Sequence, residues 1–454
     1  MRNPALLLAA AILAATAGPA LARRPASSTT VCASCVQAHV EHLAAPELAG
    51  RRCATADEAR AADYLVGEFK ALGVKGALGR GGYLQTVGLS AARLAAPATL
   101  SIGDAPALVQ DRDFVITRRV RPVSGPLVRV IDAKALPAGL EGTVVFLDLQ
   151  TPDPTAAGLV GKAGAALIVQ VAPPPVLERW DTMKGRGLTS TIDGVTSEPA
   201  SGPTQLFVRP QTADALRAAQ TARLDLTFGE PLKRATHNVT AVIHGSAPDA
   251  DRNAVLLTAH YDHLGVRDGK LFPGANDDAS GTAAVLEFAR LIKAGPKPKR
   301  TVVFALFGCE EEGGFGATYF DAAPPLPLAD IAANIEFEMI GLRDPKQPDS
   351  LMLTGWDRSN LGAALAEHGA KVAKDLYPEQ NFFQRSDNYA LAKKGVVAHT
   401  ISAWPVPPTY HQPTDTAASV DFAFMAASIQ SMVEPLRWLL NSDFKPAWNP
   451  GGKP

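Results

Sequence analysis

The alternation of hydrophobic and polar positions divides the chain into three parts with different predicted structures. In the first part, apolar side chains such as Leu65 and Phe69 recur at helical spacing. This pattern predicts two helices, over residues 36–50 and 57–72. We assign residues 23–94 to these N-terminal helices and expect them to belong to the same domain as the last part of the chain.

The middle part, residues 95–232, contains short apolar runs separated by proline-rich loops. The runs at residues 144–149 and 166–171 are predicted β-strands. Charged and aromatic residues are sparse between them, and no group of residues suited to catalysis stands out. We therefore predict an inserted, β-rich module.

In the last part, residues 233–445, predicted strands alternate with predicted helices. The predicted strands cover residues 238–244, 254–260, 301–307, 333–340 and 396–401, and the predicted helices cover residues 280–294, 361–372 and 422–440. The alternation predicts an α/β domain with a mostly parallel or mixed central sheet flanked by helices. Residues 446–454 are predicted to be a flexible tail.

The composition is that of a globular protein, with 46% hydrophobic and 20% charged residues among 454. The formal net charge is −1. A charge this close to zero argues against a nucleic-acid partner and against a polybasic surface for membranes.

The N-terminus has the pattern of a cleavable signal peptide. Arg2 provides a positive charge, residues 5–17 form an apolar stretch, and residues 20–22 fit a small-residue cleavage site. The stretch is shorter than the about 20 residues that a membrane-spanning helix needs. We therefore expect residues 1–22 to be removed and the mature chain, from Arg23, to be periplasmic or secreted and free of the membrane. A retained anchor is the less favoured alternative.

Three cysteines lie close together near the N-terminus. Because export permits disulfides, we expect Cys32 or Cys35 to pair with Cys53. A small zinc site is the alternative, since Cys32, Cys35, His39 and His42 have a ligand-like spacing.

Acidic residues and histidines follow the predicted strands at the points where these strands end. They are His260, Asp262 and His263 in HYDHLG, Asp277 and Asp278 in PGANDDASG, Glu310–Glu312 in CEEEGGFG, Glu338 in EFEMIG, and His411 in TYHQPTDT. Each group alone has a simpler interpretation, such as a helix N-cap or a solvated turn. Because ligands of open α/β sheets bind beyond the carboxyl ends of the strands, we expect these groups to converge.

A mixture of imidazole and carboxylate groups is the ligand set of a zinc ion that keeps one position open for water. Two metal ions that share a bridging carboxylate can supply a nucleophile at neutral pH and stabilise the developing oxyanion. A further carboxylate has to take the proton from the water and pass it to the leaving group. Adjacent glutamates can divide these tasks, because one can bind a metal while its neighbour stays free.

The motifs HYDHLG, GANDDASG, CEEEGGFG, EMIG, RSDN and YHQPTDT occur in the order and spacing of the di-zinc aminopeptidase family, which the chain resembles over most of residues 36–440. That family includes bacterial leucyl aminopeptidases, glutamate carboxypeptidase II, glutaminyl cyclase and the transferrin receptor ectodomain. The middle module is similar to a protease-associated (PA) domain. The resemblance implies the phosphorylase/hydrolase-like zinc exopeptidase fold and two Zn²⁺ ions per chain.

The resemblance also assigns the metal ligands. They are His260 and Glu338 on one zinc, Glu311 and His411 on the other, and Asp277 as the bridge between both. In the family the peptide bond after the bridging aspartate is cis, so we expect a cis bond between Asp277 and Asp278. Glu338 departs from the family pattern, since most members have Asp there, and its longer side chain alters the space for a substrate amine.

Two residues are assigned to the reaction itself. Glu310 would act as general base and acid, and Tyr410 would donate a hydrogen bond to the oxyanion. The residues expected to support the site or the substrate are Asp262, which would orient His260, Asp278, Arg385 and Asp387. Asn388 stands where the family motif RSDH has a histidine. His263 is expected to have a structural or supporting role, and Glu312 to be a solvated turn residue.

These roles predict an exported zinc aminopeptidase that removes N-terminal residues from peptides through a metal-bridging water or hydroxide activated by Glu310. A carboxypeptidase or a glutaminyl-cyclase-like amidohydrolase on the same fold, and an inactive binding ectodomain, are the alternatives. The complete two-metal set argues against cyclisation and against an inactive ectodomain. Phe382, Phe383, Trp404 and residues 405–408 would line an apolar pocket for an uncharged or apolar first residue.

Overall fold

The structure is a computed structural model that describes residues 29–149, 151, 153–185, 187–196, 202–403 and 406–454. The predicted signal peptide, and Trp404 and Pro405 of the predicted pocket, lie outside the described residues. Within those ranges we find no helix with the length and the apolar character that crossing a membrane requires.

Helices and strands are named in chain order within the described residues. The α-helices are α1 Ala33–Leu43, α2 Ala56–Ala71, α3 Ala156–Lys162, α4 Pro174–Glu178, α5 Trp180–Met183, α6 Ala213–Ala218, α7 Ser280–Ala294, α8 Phe315–Ala322, α9 Leu361–Glu367, α10 Asn388–Lys394 and α11 Phe422–Asn441. The strands are β1 Lys75–Gly76, β2 Leu84–Ala91, β3 Thr99–Ile102, β4 Leu108–Val109, β5 Phe114–Arg118, β6 Val123–Val130, β7 Val144–Leu147, β8 Leu167–Val171, β9 Ser190–Ile192, β10 Thr204–Val208, β11 Thr221–Asp225, β12 Leu232–Ile243, β13 Ala254–His260, β14 Gly265–Arg267, β15 Lys270–Phe272, β16 Val302–Phe307, β17 Ile331–Glu338, β18 Leu351–Leu353, β19 Val372–Lys374 and β20 Ala398–Ser402.

The larger sheet has the strand order β19-β18-β20-β17-β13-β16-β12-β2-β9, and β1 pairs with β12. Its central strands β20, β17, β13 and β16 are parallel, while antiparallel pairs flank them. Every residue of β13 and β16 is buried, because helices cover both faces of the sheet. One core includes α1, α2, α7, α9 and α11, and the core on the other face includes α8 and α10. The predicted mixed α/β fold is confirmed.

A second sheet has the strand order β4-β3-β11-β6-β7-β8-β10-β5 and lies within the middle part of the chain. Side chains such as Phe114, Phe146 and Leu224 form its own apolar core. The predicted module is therefore a separate sheet, except that β9 pairs with β2 of the larger sheet. The similarity to a PA domain and the domain boundaries stay predictions.

The long pair of β2 and β12 connects the two sheets. β12 pairs with β16 as far as Val239, which lies opposite Leu306, and residues 232–238 continue along β2. Because β12 is antiparallel to β16, those residues project beyond the carboxyl ends of the central strands. The second sheet is therefore attached on the side where the predicted site residues lie.

Three local expectations differ from the structure. The first helix is Ala33–Leu43 rather than 36–50, and the helix predicted for 361–372 is Leu361–Glu367, after which the chain enters β19. Residues 446–454 are not a free tail. The indole nitrogen of Trp448 donates to the Gly395 carbonyl at 3.0 Å, and its backbone forms a bridge with Ser359.

The predicted disulfide between Cys53 and Cys32 or Cys35 is wrong. Cys32, the N-cap of α1, pairs with Cys35 in the first turn of that helix. Because both thiols are used in this disulfide, the alternative zinc site is also wrong. Cys53 pairs with Cys309, which is 256 positions away in the sequence. The sequence could not indicate this pair, because it depends on the packing of the N-terminal segment against the end of β16.

Candidate metal centre

The predicted ligands converge at the carboxyl ends of the central strands. His260 is the last residue of β13 and Glu338 is the last residue of β17. Thr282 of α7 donates its hydroxyl to the His260 carbonyl at 2.8 Å, which fixes the end of β13. Asp277 lies in a turn of π-helical type, Ala275–Ala279, that leads into α7.

The side chain of Asp415 fixes the turn that contains Asp277. Its carboxylate accepts hydrogen bonds from the backbone N–H groups of Asn276 at 2.9 Å and Asp277 at 3.1 Å. The peptide bond between Asp277 and Asp278 is cis, as the family resemblance led us to expect. Asp415 was missed in the sequence, although it lies four residues after His411 in the same motif.

The Asp277 carboxylate faces two histidines with different oxygen atoms. Its Oδ1 lies 3.3 Å from Nε2 of His260, and its Oδ2 lies 3.3 Å from Nε2 of His411. Burial would raise the pKa of Asp277, but the two histidines outweigh this and hold it well below the ordinary value. An ionised carboxylate between two imidazoles is the arrangement expected of a bridging ligand.

Two groups of three possible ligands share Asp277. His260, Asp277 and Glu338 form the first group, with ligand atoms all within 4.8 Å of one another. His263, Asp277 and Glu311 form the second group under the same limit. His411 also belongs on the second side, because its Nε2 lies 3.1 Å from Oε2 of Glu311.

His263 lies closer to the metal centre than the sequence indicated. Its Nδ1 is 2.7 Å from Oε1 of Glu311 and 3.8 Å from Oδ2 of Asp277. The two oxygens of Glu311 thus face two different histidines, His263 and His411. The signal in the sequence was the second histidine of HYDHLG, which follows the end of β13 by three residues.

The donor set fits a pair of zinc ions. Several buried nitrogen and oxygen atoms at this point have no hydrogen-bond partner, among them Nε2 of His260 and Oε1 of Glu311. A buried polar atom without a partner is costly, so a cluster of such atoms indicates a bound group. Imidazole nitrogens and carboxylate oxygens at these separations are the ligand types of zinc sites.

Asp262 has contacts beyond the predicted one with His260. Its carboxylate accepts hydrogen bonds from the backbone N–H groups of Glu310 at 2.9 Å and Glu311 at 3.3 Å. Nδ1 of His260 lies 3.3 Å from the backbone carbonyl of Asp262 and 3.6 Å from its carboxylate. The Asp262 side chain therefore fixes the loop after β16, and its role in orienting His260 stays a prediction.

Glu310 lies in a cluster of acidic groups. Shielding from water raises the pKa of Glu310 well above the ordinary value. The neighbouring Asp387 raises this pKa further, whereas His260 lowers it. Asp387 is itself buried, and burial together with the Glu336 carboxylate raises its pKa. Glu336, which the sequence analysis missed, accepts hydrogen bonds from Asn388 N–H at 2.6 Å and from the hydroxyls of Ser386 and Thr400.

A cleft next to the ligands contains three further predicted residues, Phe382, Arg385 and Tyr410, but not residues 406–408. It is lined by Glu338, Met352, Thr354, Phe382, Arg385, Ser386, Thr400, Ser402 and Tyr410. The Tyr410 ring stacks on the His411 ring at 3.8 Å between centroids. Phe383 does not line this cleft but packs in the core of α8 and α10, so the lining is more polar than the predicted apolar pocket.

Asp278 fixes the end of β17, next to Glu338. Its Oδ1 accepts hydrogen bonds from the N–H groups of Gly281 at 2.9 Å and Met339 at 3.0 Å. Glu312 is not a freely solvated turn residue. Its carboxylate lies 2.8 Å from Arg52 and 3.3 Å from Arg234.

Residues 238–434 match the family model described as peptidase family M28. This part of the chain is an M28 peptidase domain. An aminopeptidase of Pseudomonas aeruginosa is 40% identical over 181 residues, which cover 39% of this chain and 31% of that protein. The matched segments of the curated relatives span only 18% to 31% of the lengths of those proteins.

Solved structures agree with this chain over nearly its whole length. An aminopeptidase from Aneurinibacillus sp. strain AM-1 has a TM-score of 0.60 at 20% identity, covering 94% of this chain and 98% of that one. A zinc aminopeptidase from Bacillus subtilis has a TM-score of 0.57 at 18% identity, covering 91% and 97%. At these identities the likeness establishes the fold.

Proposed function

We propose that this protein is a zinc-dependent aminopeptidase of peptidase family M28 that hydrolyses the N-terminal residue from peptides. The observation that supports the proposal most strongly is the Asp277 carboxylate, whose two oxygens lie 3.3 Å from His260 and from His411. The names of the similar proteins, aminopeptidase and zinc aminopeptidase, agree with this reaction.

Five residues would hold two zinc ions. His260 and Glu338 would bind the first, Glu311 and His411 the second, and Asp277 both. Bound zinc would supply Lewis-acid polarisation of the scissile carbonyl and a water of lowered pKa. His263, whose Nδ1 lies 2.7 Å from Oε1 of Glu311, would pack against that carboxylate and limit its movement.

Glu310 would move the proton in this reaction. Asp262 holds the Glu310 N–H, so the carboxylate is fixed beside Glu311 while staying outside both groups of possible ligands. A carboxylate in this position could accept a proton from water and return it to the leaving amine.

Tyr410 and Arg385 would bind the substrate beside the ligands. Both line the cleft together with Glu338. Burial and the Asp277 and Glu311 carboxylates raise the pKa of Tyr410, so its hydroxyl keeps its proton and can donate to the oxyanion.

The experiment is hydrolysis of a panel of aminoacyl-4-nitroanilides, with metal content measured on the same samples. The metal-free, zinc-loaded and Glu310→Gln proteins are compared. We expect release to require about two zinc ions per chain and to fall by about 100- to 10,000-fold in Glu310→Gln, the range of one general base. Zinc content should stay unchanged in that variant, because Glu310 is not among the ligands.

The control is Glu367→Gln, the same change on the exposed side of α9. It should leave both activity and zinc content unchanged. A wild-type protein that binds two zinc ions but releases no nitroaniline would contradict the aminopeptidase proposal and leave a different hydrolysis at the same site. A protein that binds no zinc would contradict the ligand assignment.

A further inference from the structure

A short segment before α2 contacts three loops of the candidate metal centre: the one after β13, the one before Asp277 and the one after β16. Within residues 49–54, the non-glycine residues Ala49, Arg51 and Ala54 have positive φ values of 45°, 49° and 54°. Such backbone conformations are sparsely populated and persist where the surrounding contacts impose them. Gly50 is equally constrained, because a Cβ atom there would lie 2.3 Å from the Phe272 carbonyl oxygen.

Arg51 connects this segment to the loops that follow β13 and precede Asp277. Its side chain is fully buried and donates to the backbone carbonyls of Tyr261 at 2.6 Å, Pro273 at 2.7 Å and Gly274 at 3.0 Å. A guanidinium group has its donors in a fixed fork, so these bonds set the spacing of the two loops.

Arg52 connects the segment to the other side of the centre. Its backbone forms a bridge with His263, while its side chain lies 2.8 Å from the Glu312 carboxylate. Glu312 follows Glu311 directly, and Arg234 of β12 contacts it from the connection to the second sheet. The end of the glutamate run is therefore held at the surface by two arginines.

Cys53 holds the beginning of the same glutamate run through its disulfide with Cys309. Both sulfur-bearing residues are completely buried. Cys309 directly precedes Glu310 and has a φ of 59°, so this residue is held in a left-handed conformation next to the proposed general base. A covalent bond at this point removes freedom that backbone hydrogen bonds alone would leave to the loop.

We infer that the Cys53–Cys309 disulfide is a positioning element of the metal centre, which fixes Glu310 for proton transfer and Glu311 for metal binding. The part of the inference that concerns turnover rests on the proposed aminopeptidase function. The part that concerns metal binding does not, because it can be measured on a protein without a known substrate.

The test compares two double variants that each remove one disulfide. In Cys53→Ala/Cys309→Ala we expect a kcat about 10- to 100-fold lower and zinc affinity about tenfold weaker, as for other residues that orient metal ligands. KM should change by less than about threefold, because binding of the substrate is retained. The matched control, Cys32→Ala/Cys35→Ala, removes the disulfide in α1 and should change none of the three quantities by more than about twofold.

The readouts are kcat and KM on a nitroanilide, zinc affinity in competition with a chelator, and the melting temperature. A lower melting temperature with kcat and zinc affinity equal to those of the control would overturn the inference, because it would show a purely structural disulfide. If the wild type releases no nitroaniline, the aminopeptidase proposal fails while the zinc affinities still decide the positioning role.

A second measurement covers the case in which the first variant does not fold. The folded Cys32→Ala/Cys35→Ala protein is treated with a water-soluble phosphine in a zinc buffer. The phosphine reduces the remaining disulfide to two thiols and is oxidised to its oxide with oxygen from water. Zinc affinity and kcat should fall as the two thiols appear, and thiols without such a fall would refute the inference.

Discussion

The two halves of the candidate metal centre are held in place by different means. We call His260 and Glu338 the strand half, because each is the last residue of a central strand. We call Glu311 and His411 the loop half, because both lie in loops beyond the strands. The side chain of His260 is 1% exposed, whereas that of His411 is 34% exposed.

The strand half is held mainly by the hydrogen bonds of the sheet. His260 pairs with Phe307 of β16, and Glu338 pairs with Ser402 of β20, so the backbone hydrogen bonds of the sheet fix both residues. The loop half depends on side chains instead, namely Asp262 and His263 for Glu311. His411 itself has a φ of 54°, outside the regular strand and helix regions. Ligands held by the sheet and ligands held by side chains therefore meet at Asp277.

The largest effect is expected for Asp277→Asn, which acts on both halves at once. The amide cannot serve as an anionic bridge, so both zinc ions should be lost and activity should fall by about 1,000-fold or more. This loss exceeds the about 100-fold loss expected when a residue that only orients a metal ligand is replaced. Metal analysis measures the zinc content, and nitroanilide hydrolysis measures the activity. Asp268→Asn, on the exposed turn between β14 and β15, is the control and should retain both metals. Retention of two zinc ions in Asp277→Asn would show that Asp277 is not the bridge.

Removal of one histidine from either half should have a smaller effect on zinc content than Asp277→Asn. His260→Ala and His411→Ala should each retain about one zinc ion per chain, because each removes one ligand from one side. Removal of zinc from the wild-type protein by a chelator should have two phases, because the loop half should release its metal about tenfold faster than the strand half. A tenfold difference is within the range by which residues that orient metal ligands change metal affinity. His411→Ala should abolish the fast phase and His260→Ala the slow one. A single phase in the wild type would contradict the difference between the halves.

His263→Ala should affect the loop half alone. Loss of the contact between Nδ1 and Glu311 should make the fast phase of zinc release about 10-fold faster. This is the lower end of the range expected when a residue that orients a metal ligand is removed. His263→Asn places an amide nitrogen near the position of Nδ1 and should restore most of the wild-type rate. If His263→Ala instead loses one zinc ion entirely, His263 is itself a ligand.

The smallest effect is expected for Glu338→Asp in the strand half. The rigid strand withdraws the shorter carboxylate by about 1.5 Å, the length of one C–C bond, and the slow phase should accelerate a few fold. The fast phase should not change. Chelation kinetics on the same time base as the wild type measure this, and a change confined to the fast phase would reverse the assignment of Glu338.

The strand half could be predicted from the sequence more fully than the loop half. Apolar runs locate β13 and β17, and the polar residues that end them, His260 and Glu338, lie in the structure where the pattern indicates. The supports of the loop half depend on distant packing. Arg51 and Cys53 reach the site through contacts with residues more than 200 positions away, which no local pattern reveals.

The cleft beside the metal ligands shows the same limit. Phe383 follows Phe382 in the sequence, but the short 3₁₀ turn directs only Phe382 toward the cleft, where Thr354, Thr400 and Ser402 are also present. Those hydroxyl residues come from strands and loops that only the folded sheet brings together. The sequence therefore identified the position of the pocket better than its polarity.

The most direct test of a two-metal centre shared by Asp277 is X-ray diffraction of zinc-loaded crystals at the zinc absorption edge. We expect two anomalous peaks on opposite sides of the Asp277 carboxylate, one beside His260 and Glu338 and the other beside Glu311 and His411. A single peak, or two peaks that do not share Asp277, would contradict the two-metal centre described above.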